Sequence, residues 1–116
     1  MKNSIFMTGL LLISACTNAQ IDLPGFVHQK VNDKLHVLKS DNYNTNVGIY
    51  IDKDGIVLVD PMTGDNNHKQ LLSAINKIST RPIKYVINTH SHLDHSGANS
   101  FFATLGATII SQENAR

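Results

Sequence analysis

Ile83-Lys84-Tyr85-Val86-Ile87-Asn88-Thr89-His90-Ser91-His92-Leu93-Asp94-His95-Ser96-Gly97 is the stretch whose reading decides the fold. Its first six residues read as a strand. Directly after them, three imidazoles and a carboxylate occupy the six positions from His90 to His95. Divalent zinc prefers imidazole nitrogen and carboxylate oxygen, and a site usually draws at least three ligands from the protein, so four candidates in one hexad mark a metal site. The hexad lies in the loop after a strand, where α/β proteins place ligands at the carboxyl end of a sheet. In extended backbone, residues two apart project to one side, so His90 and His92 can share one ion while Asp94 and His95 turn toward a second. Histidine is scarce, and half of the chain's six lie here. His28, His36 and His68 stand isolated among polar neighbours and read as surface or strand-edge residues.

Working outward, the preceding residues supply the rest of a layered domain. Leu35-His36-Val37-Leu38 is a short strand candidate, and Asn46-Val47-Gly48-Ile49-Tyr50-Ile51 alternates, with Val47, Ile49 and Ile51 on one face. Asp52-Lys53-Asp54-Gly55 supplies turn chemistry, and Ile56-Val57-Leu58-Val59 follows as a strand apolar on both faces, which implies cover on both sides. Asp60-Pro61 ends it. Leu71, Leu72, Ile75 and Ile78 form one apolar stripe and predict a helix over residues 66–78, stopped by Arg81-Pro82. A short helix over 99–105 ends at Gly106, and residues 107–110 form another strand. The alternation of strands and helices predicts an α/β layered architecture. Residues 17–30, polar and carrying Pro24-Gly25, read as a tether or an entry segment.

The composition of the 116 residues, 41% hydrophobic and 16% charged with a net charge of +1, is that of one ordinary globular domain. No Lys/Arg run offers a footprint for nucleic acid or a polybasic membrane patch, so the expected partners are small molecules, a small-molecule substrate among them, metals or another piece of protein. The N-terminus adds a second signal. Lys2 precedes an apolar stretch over 5–13 and small residues at Ser14 and Ala15, which predicts a signal peptide over 1–19 and export. Ile13-Ser14-Ala15-Cys16 resembles the lipobox of bacterial lipoproteins, cut before the cysteine that is then lipidated; a cut after Ala19 would instead release a soluble periplasmic protein. A lipid on Cys16 would be the only membrane attachment. Cys16 is also the only cysteine, so no disulfide staples the fold.

Thr89-His90-Ser91-His92-Leu93-Asp94-His95-Ser96-Gly97 strongly resembles the His-x-His-x-Asp-His signature of the metallo-β-lactamase superfamily of metallohydrolases. Ile56-Val57-Leu58-Val59-Asp60-Pro61 looks like that family's earlier strand ending in Asp. The resemblance covers residues 31–116 and implies the N-terminal half of an αββα sandwich, with residues 20–116 an incomplete domain of this type. Carried over by position, His90 and His92 would bind a first zinc, Asp94 and His95 a second, and Asp94 would also orient the attacking water. Asp60 would support the ligands from behind. The implied activity is zinc-dependent hydrolysis, with metal-bound hydroxide attacking an activated carbonyl of an ester, thioester, lactone or β-lactam.

His95 stands where β-lactamases with a cysteine ligand carry Arg, which turns the resemblance toward members that keep the His. Ala98 stands where many relatives have a second glycine, a departure that bears on loop flexibility. Two residues per metal fall short of the three that a catalytic zinc takes. In the family a histidine for each metal and a bridging aspartate come from downstream motifs. The expectation is therefore a fragment, inactive alone, whose sheet would expose an apolar face. Two other readings use the same hexad: an exported metal-capturing lipoprotein without catalysis, and a redox member of the superfamily holding iron.

Overall fold

In the computed structural model, residues 21–42, 44–62 and 67–115 are described. The proposed signal peptide and Cys16 lie outside them. The chain forms strands β1 (Phe26–Lys30), β2 (Leu35–Ser40), β3 (Asn46–Asp52) and β4 (Gly55–Val59), then helix α1 (Asn67–Ile78), strand β5 (Ile83–Asn88), helices α2 (Leu93–Ser96) and α3 (Asn99–Thr104), strand β6 (Thr108–Ser111) and a 3-10 turn (Glu113–Ala115). All six strands form one sheet in sequence order. The first four pair antiparallel. From β4 to β6 the pairing is parallel, as helical crossovers require.

Turn chemistry fixes the hairpins. The Asn32 carboxamide oxygen accepts from the backbone N–H of Lys34 and of Leu35, both at 2.9 Å, and so closes β1 onto β2. At the β3–β4 turn Gly55 has φ +150°, and a Cβ there would lie 2.6 Å from the Pro82 carbonyl oxygen. Glycine is required by both conformation and space.

β1 is a departure from the tether or entry segment expected over residues 17–30, since the sheet already begins at Phe26. Its five residues are Phe-Val-His-Gln-Lys, with only Phe26 buried, so its apolar periodicity is too weak to mark a strand. Backbone pairing with β2 holds it instead, from Phe26 opposite Ser40 to Lys30 opposite His36.

One sheet face carries the core. Across the strands His36, Ile49, Leu58, Val86 and Ile109 stand in register, with Leu38 opposite Val47 beside them. Leu71, Ala74 and Ile75 of α1 and Phe102 of α3 are buried in the same core. Leu38, Ile49, Leu58, Val86, Leu71, Ile75 and Phe102 have no exposed surface, and each contributes about 1.5–3 kcal/mol by leaving water. In α1, Leu72 and Ile78 are half-buried flanks of the predicted stripe.

The opposite face is open among the described residues. One row runs Leu35, Tyr50, Val57, Tyr85, Thr108 and the next Val37, Gly48, Val59, Ile87, Ile110. Tyr50, Tyr85, Ile87 and Ile110 are 37–45% exposed. The double-sided apolar character of β4 therefore has cover on one side within this span, and Val57 and Val59 are half-buried.

Two histidines that look isolated in sequence meet in the fold. His28 Nε2 lies 2.9 Å from His36 Nδ1, and His36 is only 7% exposed. Burial, the His36 ring and the Lys30 charge together hold His28 below the ordinary histidine pKa of 6.5. The unfolded chain therefore binds the extra proton first, so this contribution to stability is complete above about pH 6.5 and is lost as pH falls toward the folded value. In metal-free buffer the urea midpoint of the parent should fall between pH 7.5 and 5, and His28→Gln should flatten that profile. Leu58→Ala should cost about 2–5 kcal/mol in the same assay, since it opens a cavity in the central row.

Candidate metal centre

The site is built where β4 and β5 end side by side. The Asp60 N–H donates to the Ile87 carbonyl at 2.9 Å, extending the parallel ladder one step past β4. The chain then turns sharply, with φ +52° at Asp60 and +70° at Met62. Aspartate tolerates this region, but a non-glycine residue held there generally costs about 1–3 kcal/mol. Met62, 1% exposed, is locked in place by the core, and its carbonyl accepts from the Ala98 N–H at 3.0 Å.

The turn aims the Asp60 carboxylate across the strand ends. One oxygen accepts from the Thr89 N–H at 2.8 Å and the other from the Thr89 hydroxyl at 2.7 Å. His95 Nδ1 approaches to 3.1 Å. Burial pushes the Asp60 carboxyl up, but the two Thr89 hydrogen bonds, with His95 beside them, pull it below its ordinary value. Asp60 is thus an anion at neutral pH, 6% exposed.

The hexad does not continue as a strand, unlike the extended backbone expected from sequence. His92, with φ −61° and ψ 141°, is the N-cap of α2, and Asp94 and His95 lie on that helical turn. The N–H groups of His95 and Ser96 both donate to the His92 carbonyl at 2.9 Å. A polar run of Ser, His and Asp carries no apolar periodicity to announce a helix of four residues. Its effect is to fold the histidines together. The ring centroids of His90 and His92 are 4.7 Å apart and those of His90 and His95 are 4.0 Å apart. Asp94 Oδ2 lies 3.3 Å from His95 Nε2.

Ligand atoms of Asp60, His90 and His95 all fall within 4.8 Å of one another. His92 adjoins this trio through His90, and Asp94 through His95. Asn88, the last residue of β5, belongs to no motif in the sequence, yet it ties the loop down. Its side chain donates to the His95 carbonyl at 3.2 Å and accepts from Asn99 at 2.7 Å, and it is 5% exposed. A polar residue closing an apolar strand was the available signal.

The donors fit a borderline divalent ion. His95 Nδ1 is buried without a hydrogen bond, because its approach to Asp60 lacks donor alignment. A buried polar atom left in this state is costly unless something binds it. Three imidazoles with flanking carboxylates are the ligand types zinc takes.

Comparison with known proteins agrees with this geometry. The family model described as metallo-beta-lactamase superfamily matches residues 41–109. Metallo-beta-lactamase IND-1 of Chryseobacterium indologenes is 30% identical over 113 residues, covering 91% of this chain and 47% of its own length. Metallo-beta-lactamase type 2 of Elizabethkingia meningoseptica is 29% identical over 89 residues, covering 72% of this chain and 36% of its own length. The chain therefore spans less than half the length of these curated relatives. Among solved structures, a metallo-beta-lactamase from Pontibacter korlensis superposes with a TM-score of 0.65 at 26% identity, covering 78% of this chain and 45% of that one.

Asp60→Ala removes the acceptor for two Thr89 donors and should cost about 1–3 kcal/mol. Urea unfolding checks this. Thr89→Val, which keeps one of the two bonds, should fall between the parent and Asp60→Ala.

Proposed function

The chain belongs to the metallo-beta-lactamase superfamily, and from that membership we propose that it carries the metal-binding hexad of a zinc-dependent hydrolase acting on an activated carbonyl: an ester, thioester, lactone or β-lactam. The observation that carries this reading is the convergence of His90, His92 and His95 on one loop, held from behind by Asp60, with a buried imidazole nitrogen left without a hydrogen bond. His90 and His92 would hold one ion, and Asp94 and His95 a second. When bound, zinc supplies Lewis acidity and a water acidic enough to act as a nucleophile near neutral pH.

The protein's own part is positional. Asp60 fixes Thr89, and the Thr89 hydroxyl lies 2.9 Å from His90 Nδ1, so the ring is oriented through an Asp–Thr–His relay. A partner on the second nitrogen of a metal-binding histidine sets its tautomer and orientation. Asp94 is 53% exposed at its side chain, which leaves its carboxylate open to hold an ion and to orient a water toward substrate.

Two residues per ion fall short of about three, so the remaining donors are proposed to come from parts of the fold beyond the span matched here. On the same count, the 116 residues alone would bind metal without turnover. Export through the signal peptide over 1–19, with lipid attachment at Cys16 or release as a soluble periplasmic protein, completes the proposal.

In the full-length form, His92→Ala or Asp94→Ala should lower hydrolysis of a chromogenic cephalosporin or an aryl thioester by more than about a hundredfold, since even outer partners of metal ligands cost 10–100-fold. A chelator should abolish turnover and added zinc restore it. Turnover unchanged in both variants would overturn the assignment.

A further inference from the structure

Asn88 and Asn99 are not ligands, yet their geometry bears on one ligand in particular. The Ala98 N–H, which a helix running on from α2 would give to the Asp94 carbonyl, donates instead to the Met62 carbonyl at 3.0 Å. The ladder of α2 breaks off there, and the carbonyls of its last turn need other donors. The Asn88 amino group meets that need at His95, donating to its carbonyl at 3.2 Å from a side chain only 5% exposed.

The orientation of both amides follows from this bond. A carbonyl oxygen only accepts, so the amino end of Asn88 faces His95 and its oxygen faces Asn99. Asn99 answers with its own amino group at 2.7 Å. Turning Asn99 over would set oxygen against oxygen. The order leaves Asn99 Oδ1 buried without a hydrogen bond, a state that is destabilising in itself. What it secures is the His95 main chain. The brace is firm, because Asn99 opens α3 and Phe102 of that helix is fully buried in the core.

On the two-ion reading of the hexad, on which this inference rests, we propose that Asn88, braced by Asn99, is a positioning residue for the ion of Asp94 and His95 and not for the ion of His90 and His92. Among the described residues the Asn88 side chain bonds only to His95 and Asn99. Asp94 and His95 share one helical turn, so a shift of the His95 main chain moves both ligands of that ion. His90 is held separately, through Thr89 and the Asp60 carboxylate.

Zinc titration of the full-length form against a competing chromogenic chelator reads two dissociation constants. Asn88→Leu, similar in size but without a donor, should raise one of them about 10–100-fold and leave the other within about threefold, the range known for outer partners of metal ligands. His92→Ala should weaken the other ion, so the double variant should lose both. Equal weakening of both ions by Asn88→Leu, no weakening of either, or a double variant that keeps one tight ion would overturn the proposal. Should Asn88→Leu fail to fold by circular dichroism, Asn99→Ala decides: it removes the brace and should weaken the same single ion by a smaller factor, and unchanged constants overturn the role. A parent that binds fewer than two ions overturns the two-ion reading and the proposal together, so the parent alone tells the two failures apart.

Discussion

The Asp60 carboxylate, shared between the two hydrogen bonds from Thr89, is the constraint on which the rest of the site depends. It joins the ends of two parallel strands that would otherwise diverge into separate loops. Because the carboxylate is buried, its charge is an asset only while both donors and His95 stay in place. That requirement fixes Thr89, and Thr89 fixes the start of the histidine loop. The strained backbone at Asp60 and Met62 is the other side of the same arrangement. Extended backbone would carry the chain straight past β5, whereas the left-handed turns point one side chain across and return the Met62 carbonyl to Ala98, where α3 begins.

Much of this was legible in the sequence, for identifiable reasons. β3 announces itself by a period-two run and α1 by its stripe, because burial on the core face selects those residues directly, whereas the continuous runs of β4 and β5 add apolar residues on the open face. The hexad is legible because ligand chemistry restricts residue type. β1 was not legible, since an edge strand held by backbone pairing needs few apolar side chains. The helical turn of α2 was hidden for a similar reason, as its residues are chosen for their donor atoms. The meeting of His28 with His36 depends on hairpin register, which sequence spacing alone did not display.

Asn88 and Asp60 occupy equivalent places at the ends of neighbouring strands and divide the labour. Asp60 holds the beginning of the loop through Thr89, and Asn88 holds its end through the His95 carbonyl and Asn99. A loop pinned at both ends keeps its rings close without apolar packing around the exposed His92 and Asp94.

The open sheet face places Tyr50 and Tyr85 on either side of Val57 in one row. The chain has three tyrosines and no tryptophan, so ultraviolet emission from the molecule is dominated by phenol rings, two of them on this face. Anything that comes to lie against those strands, whether further chain or another molecule, must dry these two phenols first. The sheet thus carries a built-in optical reporter of its own covering, readable without a label.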